Sequence, residues 1–235
     1  MKLKKRLPVA ASLLCLSLFM LLMTRAAAHI PVDAQVSMQK EMPHVLIDAG
    51  HGGEDGGAVV GSVLEKQINL AVAQDTADLL TFCGFDVQMT RTGDDALTDE
   101  GEDVKKRKYN DMKRRLELYN ASPQNVIISI HQNKFSNASS KGIQVFYSPN
   151  NDKSALLAEC VRYAAVGMLQ PDNTRENKAA GKDIYLLKNT DNPAVLVECG
   201  FLSNREEREK LVTGSYQKQL ALAIAAGFIN YHNST

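Results

Sequence analysis

Cysteine is scarce in this 235-residue chain, and its placement excludes a disulfide framework. Cys15 sits in an N-terminal apolar run, and Cys83, Cys160 and Cys199 are widely spaced with no CxxC pair. Three remaining thiols cannot pair completely, and small disulfide scaffolds are built otherwise. Cys83 and Cys160 lie in apolar, helix-like surroundings and are expected to be core thiols. No apolar run reaches the roughly 20 residues that a spanning helix needs. An excess of charge is missing too, with 27 basic and 27 acidic residues. The first 28 residues hold five of the basic residues and no acid, so the rest of the chain carries 22 basic and 27 acidic residues, a formal −5. A chain with that balance has no broad electrostatic pull toward nucleic acid or anionic membrane, and nucleic acid is not expected as a partner. The basic run "KKRK" at 105–108 falls on a helical stretch and reads as a solvated face. There is no internal repeat and no Pro- or Ser-rich linker. About 200 residues then suit one domain with a proper core.

What is present begins with an export signal. Lys2, Lys4, Lys5 and Arg6 precede an apolar run of about 15 residues, and Ala26, Ala27 and Ala28 follow. That order reads as a signal peptide over 1–28 with cleavage near Ala28. An uncleaved anchor is the alternative. Cys15 does not fit a lipoprotein signal, because bulky Leu13 and Leu14 precede it. Residues 29–43 lack periodicity and read as a spacer before a domain at 44–235. The protein is expected outside the cytoplasmic membrane.

Strand-like and helix-like segments alternate after the spacer. "HVLIDAG", "FDVQMTR", "NVIISIH", "GIQVFYS", "IYLLKNT" and "PAVLVECG" read as strands. Leu64, Ile68, Val72, Leu79 and Phe82 fall close to helical spacing, and Gly84 stops that helix. Tyr109, Met112, Leu116 and Tyr119 mark a second helix after the polar loop "DDALTDEGEDV". "SALLAECVRYAAVGML" is a third. The last carries Leu220, Ile224 and Phe228 on one face. This order predicts a single α/β domain, with helices on both faces of a mostly parallel sheet.

Three of the apolar strands run into a reactive residue: His51, His131 and Glu198. In open α/β sheets ligands bind beyond the carboxyl ends of the strands, so parallel strands would bring the three together. Glu65, at the start of the first helix, would join them. The glycine loop "GHGGEDGG" is a poor phosphate cradle. Asp55 stands where a dinucleotide fingerprint wants its last glycine, a Gly-Lys-Ser/Thr is absent, and Glu54 and Asp55 would repel a pyrophosphate. Two His and one Glu with an open fourth position is a catalytic zinc set. Ordinary readings stand beside this one. His51 could be a turn residue, His131 a hydrogen-bonded structural histidine, and Glu65 a carboxylate favoured by the helix dipole. Glu198 is harder to explain away, because a carboxylate directly after Val195, Leu196 and Val197 needs a partner.

The strings "IDAGHGGEDGGAVVGSVLEKQINL", "SIHQN" and "VECGFLSN" resemble the zinc-dependent N-acetylmuramoyl-L-alanine amidases, in that family's order and over Val45 to His232. The resemblance implies a mixed sheet of about six strands flanked by helices. It implies one zinc ion held by His51, Glu65 and His131, with Glu198 catalytic. The substrate would be peptidoglycan, cut between the muramic acid lactyl group and L-alanine. A signal segment followed by a bare catalytic domain is similar to the spore-cortex amidases of spore-forming bacteria, which remove peptide side chains so that muramic-δ-lactam can form, a mark read at germination. Gln132 and Lys134 depart from the small residues frequent there and bear on the groove. Gln132, Asn133 and Arg91 are the candidate substrate contacts. The rivals are a zinc peptidase acting within the stem peptide and a binding module that has lost catalysis. With no wall-binding repeat and a formal −5, the domain is expected to be placed or activated by an exported accessory protein.

Overall fold

Continuous apolar runs supply the centre of the sheet, because those strands are covered on both faces. In the computed structural model, which describes residues 43–235, they are β1 (His44–Ala49), β5 (Asn125–Asn133) and β8 (Ala194–Phe201). All three run parallel, with Asp48 beside Ser129 and His131 beside Glu198. Strand β4 (Asp86–Met89) adds in parallel at one edge. On the other side β6 (Gln144–Tyr147) is antiparallel to β8, and β7 (Lys178–Ala179) completes the order β4-β1-β5-β8-β6-β7. A small hairpin of β2 (Val59–Val60) and β3 (Val63–Leu64) follows the glycine loop. The expected signal peptide at 1–28 and nearly all of the expected spacer at 29–43 lie outside the described residues.

Alternation along the strands sends side chains to two cores. Val45, Ile47, Ile128, Ile130, Val195 and Val197 face α1 (Glu65–Phe82), α3 (Lys153–Leu169) and α6 (Gly214–Ser234). On α6, Leu220, Ile224 and Phe228 are all fully buried, as their spacing predicts. Leu46, Ile127 and Leu196 face the other way, toward Tyr119 of α2 (Val104–Tyr119) and Leu187 of α4 (Tyr185–Lys188). Asp103 caps α2 by accepting the Lys106 N–H at 2.7 Å. The last short helix, α5 (Arg205–Leu211), is capped in the same way by Asn204. The fold is thus a single α/β layer structure with a mixed six-stranded sheet and helices on both faces.

Two expectations are corrected. "IYLLKNT" is not a strand but the single helical turn α4, closed by the Asn189 amide donating to Tyr185 O at 2.7 Å. An apolar run that short carries no period able to separate strand from helix. Cys83 is not a core thiol. It caps α1 where that helix turns away from the core, beside a Phe82 that is 90% exposed. Cys160 is half-buried, and Cys199 is the buried thiol of the three, all of them free. Among the described residues no helix is long and apolar enough to cross a membrane.

Candidate active site

The parallel order of β1, β5 and β8 places their carboxyl ends side by side. The chain leaves β1 through Gly50, whose N–H still donates to Ile130 O at 3.1 Å. His51 then takes φ 63°, the left-handed region. For a residue with a Cβ that conformation costs on the order of 1–2 kcal/mol. The turn that follows is closed by mutual backbone bonds between Gly52 and Asp55, both at 3.0 Å. It carries the loop back to Glu65 at the start of α1, where Ala58 O accepts the Glu65 N–H and Gly56 O the Lys66 N–H. These two carbonyls satisfy helix donors that no side chain caps.

Four features converge. His51 Nε2 lies 3.3 Å and His131 Nδ1 3.0 Å from the same oxygen, Glu65 Oε1. The two imidazoles meet edge to face with centroids 5.0 Å apart. The ligand atoms of the three residues all lie within 4.8 Å of one another, close enough to hold a metal ion. Two glycines make the approach possible. A Cβ at Gly50 would sit 2.3 Å from the His131 ring, and one at Gly57 would sit 2.6 Å from Glu65 Oε2 and 2.7 Å from His51.

His51 and Glu65 are each oriented from behind. His51 Nδ1 bonds Asp55 Oδ2 at 2.7 Å, which leaves Nε2 facing Glu65. Asp55 is itself held by Lys108 Nζ at 2.7 Å and by the Gly57 N–H. Glu65 Oε2 accepts the Ala58 N–H, and Oε1 accepts from the Gln132 N–H and the Asn69 amide. Burial opposes ionisation of Glu65, yet His131 and His51 hold its carboxyl well below the usual range. Burial also works against a charged His51, but bonds to Asp55 and Glu65 raise its pKa to about 9. That proton must leave for a metal ion to bind, so binding releases protons.

Glu198 stands beside His131 on the neighbouring strand. The residue is partly exposed, but its Oε2 is buried without a hydrogen-bond partner. Burial, with the nearby Glu65 charge, pushes its pKa up to about 7 against the opposing pull of the two imidazoles. A carboxyl poised near neutrality is suited to move protons. A cleft of about 390 Å³ opens over His51 and His131, walled by Tyr109 and Met112 of α2 and by Leu186 of α4.

The three candidate substrate contacts fare differently. Arg91 is 5% exposed and spends its donors on the carbonyls of Ala49, Gly50, Lys66 and Gly93. Gln132 is 3% exposed, because strand alternation turns it to the face opposite His131, where its amide donates to Asn69. Both are buried and bonded to the scaffold. Asn133 follows a register irregularity at the end of β5 and stays partly exposed beyond His131. The basic run also departs from a purely solvated face. Arg107 binds Glu54 with two bonds of 2.8 and 3.0 Å, and Lys108 binds Asp55. In the sequence alone both acids read only as repellers of phosphate. The (i, i+4) spacing of His51 and Asp55 was the one signal of their pairing.

The family model described as N-acetylmuramoyl-L-alanine amidase matches residues 45–230. The germination-specific N-acetylmuramoyl-L-alanine amidase of Bacillus subtilis is 36% identical over 188 residues, which are 80% of this chain and 78% of that one. The CwlD amidase of Clostridioides difficile, solved in complex with the GerS lipoprotein, superposes with a TM-score of 0.79 at 36% identity, covering 82% of this chain and all of that one. An N-acetylmuramoyl-L-alanine amidase of Clostridium difficile 630 gives 0.69 at 30% identity over 83% of this chain and 98% of its own. With its sheet order, its converging histidines and these matches, the chain belongs to the N-acetylmuramoyl-L-alanine amidase family and is an enzyme of that class.

Proposed function

We propose that His51, Glu65 and His131 hold one zinc ion, and that Glu198 carries the proton in cleavage of the lactyl–L-alanine amide of peptidoglycan. The observation that carries this is the approach of His51 Nε2 and His131 Nδ1 to one Glu65 oxygen, with a buried, unpartnered Glu198 oxygen beside them. Two nitrogens and a carboxylate oxygen form a donor set that suits zinc and leaves a position open. When bound, zinc supplies a Lewis acid that makes water a nucleophile near neutral pH and stabilises negative charge on the carbonyl oxygen. The protein's own groups do the rest. Asp55 fixes the His51 tautomer, and Ala58, Asn69 and the Gln132 N–H fix Glu65. Glu198 takes the proton from the attacking water and passes it to the leaving nitrogen, which departs as an amine. The cleft between His131 and α2 receives the substrate, and Asn133, partly exposed two residues beyond His131, is a further candidate contact.

A spore-cortex setting, with the product going on to muramic-δ-lactam, is supported by the likeness to the germination-specific Bacillus subtilis enzyme. That setting places the protein outside the cytoplasmic membrane, in the envelope of the developing spore. An exported accessory protein is supported by the complex of the Clostridioides difficile relative with a lipoprotein.

His51→Ala and His131→Ala are expected to lose zinc as well as activity, read by metal analysis of the purified variants. Stoichiometric zinc in either would break the ligand set. Mass spectrometry of muropeptides after digestion is expected to show intact glycan strands and peptides with a free L-alanine amino group. Stem peptides cut internally would instead make the protein a peptidase, and no turnover with zinc fully bound would make it a binding module.

A further inference from the structure

Arg115 lies on α2, in no motif that the amidase reading uses, yet it reaches directly under the candidate metal centre. It is 4% exposed. One terminal nitrogen, Nη2, donates to His51 O at 2.7 Å. The other, Nη1, donates to Ala49 O at 2.8 Å and to the Asp48 carboxylate. Its Nε donates to Asp111 at 2.8 Å. Asp48 is fully buried, and Tyr119, Ser129 and Thr90 also donate to it, at 2.7, 2.8 and 2.9 Å. The guanidinium is thus fixed in place by two acids before it touches the loop.

The carbonyl it grips belongs to an unusual residue. His51 is the one non-glycine residue with positive φ among the described residues. A side chain rarely adopts that conformation unless its surroundings impose it. Leaving the sheet turns the His51 carbonyl away from any strand partner, and Arg115 supplies its donor. Arg91 and Asn69 hold the preceding Gly50 carbonyl in the same way, at 3.0 and 3.1 Å. The imidazole direction follows from the backbone angles that these bonds fix. Asp48 and Asp111, both bonded to Arg115, offset its charge beside the metal centre.

We infer that Arg115 is a positioning residue for the metal centre: by binding His51 O, it holds that histidine in the left-handed conformation from which Nε2 meets Glu65. The inference rests on His51 being a zinc ligand. Partners behind a ligand typically change metal affinity about 10- to 100-fold, and that range is expected here.

The test uses the mature enzyme and measures zinc dissociation by competition with a chromophoric chelator, alongside thermal melting of the zinc-free protein. Arg115→Lys keeps the charge but cannot serve Asp48, Ala49 and His51 together, and should weaken zinc about tenfold. Arg115→Met alone would strand the buried Asp48, so it is paired with Asp48→Asn, which removes both charges. That double variant should fold and bind zinc about 100-fold more weakly than wild type. Arg114→Met removes an exposed guanidinium on the same helix that pairs only with Glu117, and should leave zinc affinity unchanged. If the Lys variant and the double variant melt at lower temperature but bind zinc as tightly as wild type, Arg115 serves the fold alone and the inference is overturned. A wild-type enzyme that binds no zinc would instead remove the ligand assignment on which it stands.

Discussion

Glu198→Gln is expected to bind zinc as the wild type does and to lose about 10²- to 10⁴-fold in kcat, the range for loss of a general acid–base group. The amide fills the same space but cannot take a proton from water or return it to the leaving nitrogen. Near-normal turnover in this variant would remove Glu198 from the mechanism. The pH dependence gives a second reading of the same group. Its pKa is pushed up to about 7 chiefly by burial, and the ionised form is the one that accepts a proton. In the wild type, kcat/KM should therefore rise with pH through a limb with its midpoint at or below about 7, because a bound dication favours the charged carboxylate. The limb should vanish in Glu198→Gln.

Stability of the zinc-free protein follows the opposite sign. A carboxyl whose folded pKa is raised contributes stability fully below its unfolded pKa, and that contribution is lost as pH rises through the folded value. The zinc-free Glu198→Gln protein should accordingly melt higher than the zinc-free wild type at about pH 8, and with it at about pH 4. No such pH-dependent gap is expected if the carboxyl is solvated and ordinary.

The sequence makes the sheet's centre legible because its strands are apolar on both faces, and such runs at Val45, Val126 and Ala194 have few other uses. Their common direction follows from the long helical connections between them, which is why His51, His131 and Glu198 can be placed at one end without coordinates. Glu65 is legible for a different reason: it opens the first helix directly after the glycine loop. What the sequence hides is orientation. Gln132 is adjacent to His131 and looks equally available, but the pleat sends it to the opposite face, against Asn69. Arg91 looks like a free cation and proves to be a brace for four carbonyls. Arg115 and Lys108 reach the site from a helix whose separation in sequence gives no period to read. The short run Tyr185–Lys188 failed for want of length, not of signal type.

The tightest constraint at the site is a missing atom. Gly50→Ala is expected to abolish tight zinc binding and to lower kcat/KM by about 10²-fold or more, since a displacement of about 1 Å at a catalytic centre has that effect. Nothing in the Gly50 backbone forbids alanine, as its φ is not in the left-handed region. The obstacle is the His131 imidazole, whose Cε1 and Nε2 would each lie 2.3 Å from the new methyl. Ordinary contact begins at 3.4 Å, so the ring must move by about 1 Å or swing away, and its Nδ1 then leaves Glu65. Backbone and ring cannot both keep their places, because Gly50 is also bonded to Ile130 and to Arg91. Gly61→Ala is the matched control. It has φ 61° and nothing within 4 Å of a new Cβ, so it should lower the melting temperature through backbone strain and leave zinc affinity intact. A Gly50→Ala enzyme with wild-type zinc affinity and turnover would mean that His131 does not have to stand where the sheet puts it, and the ligand set would have to be rebuilt without it.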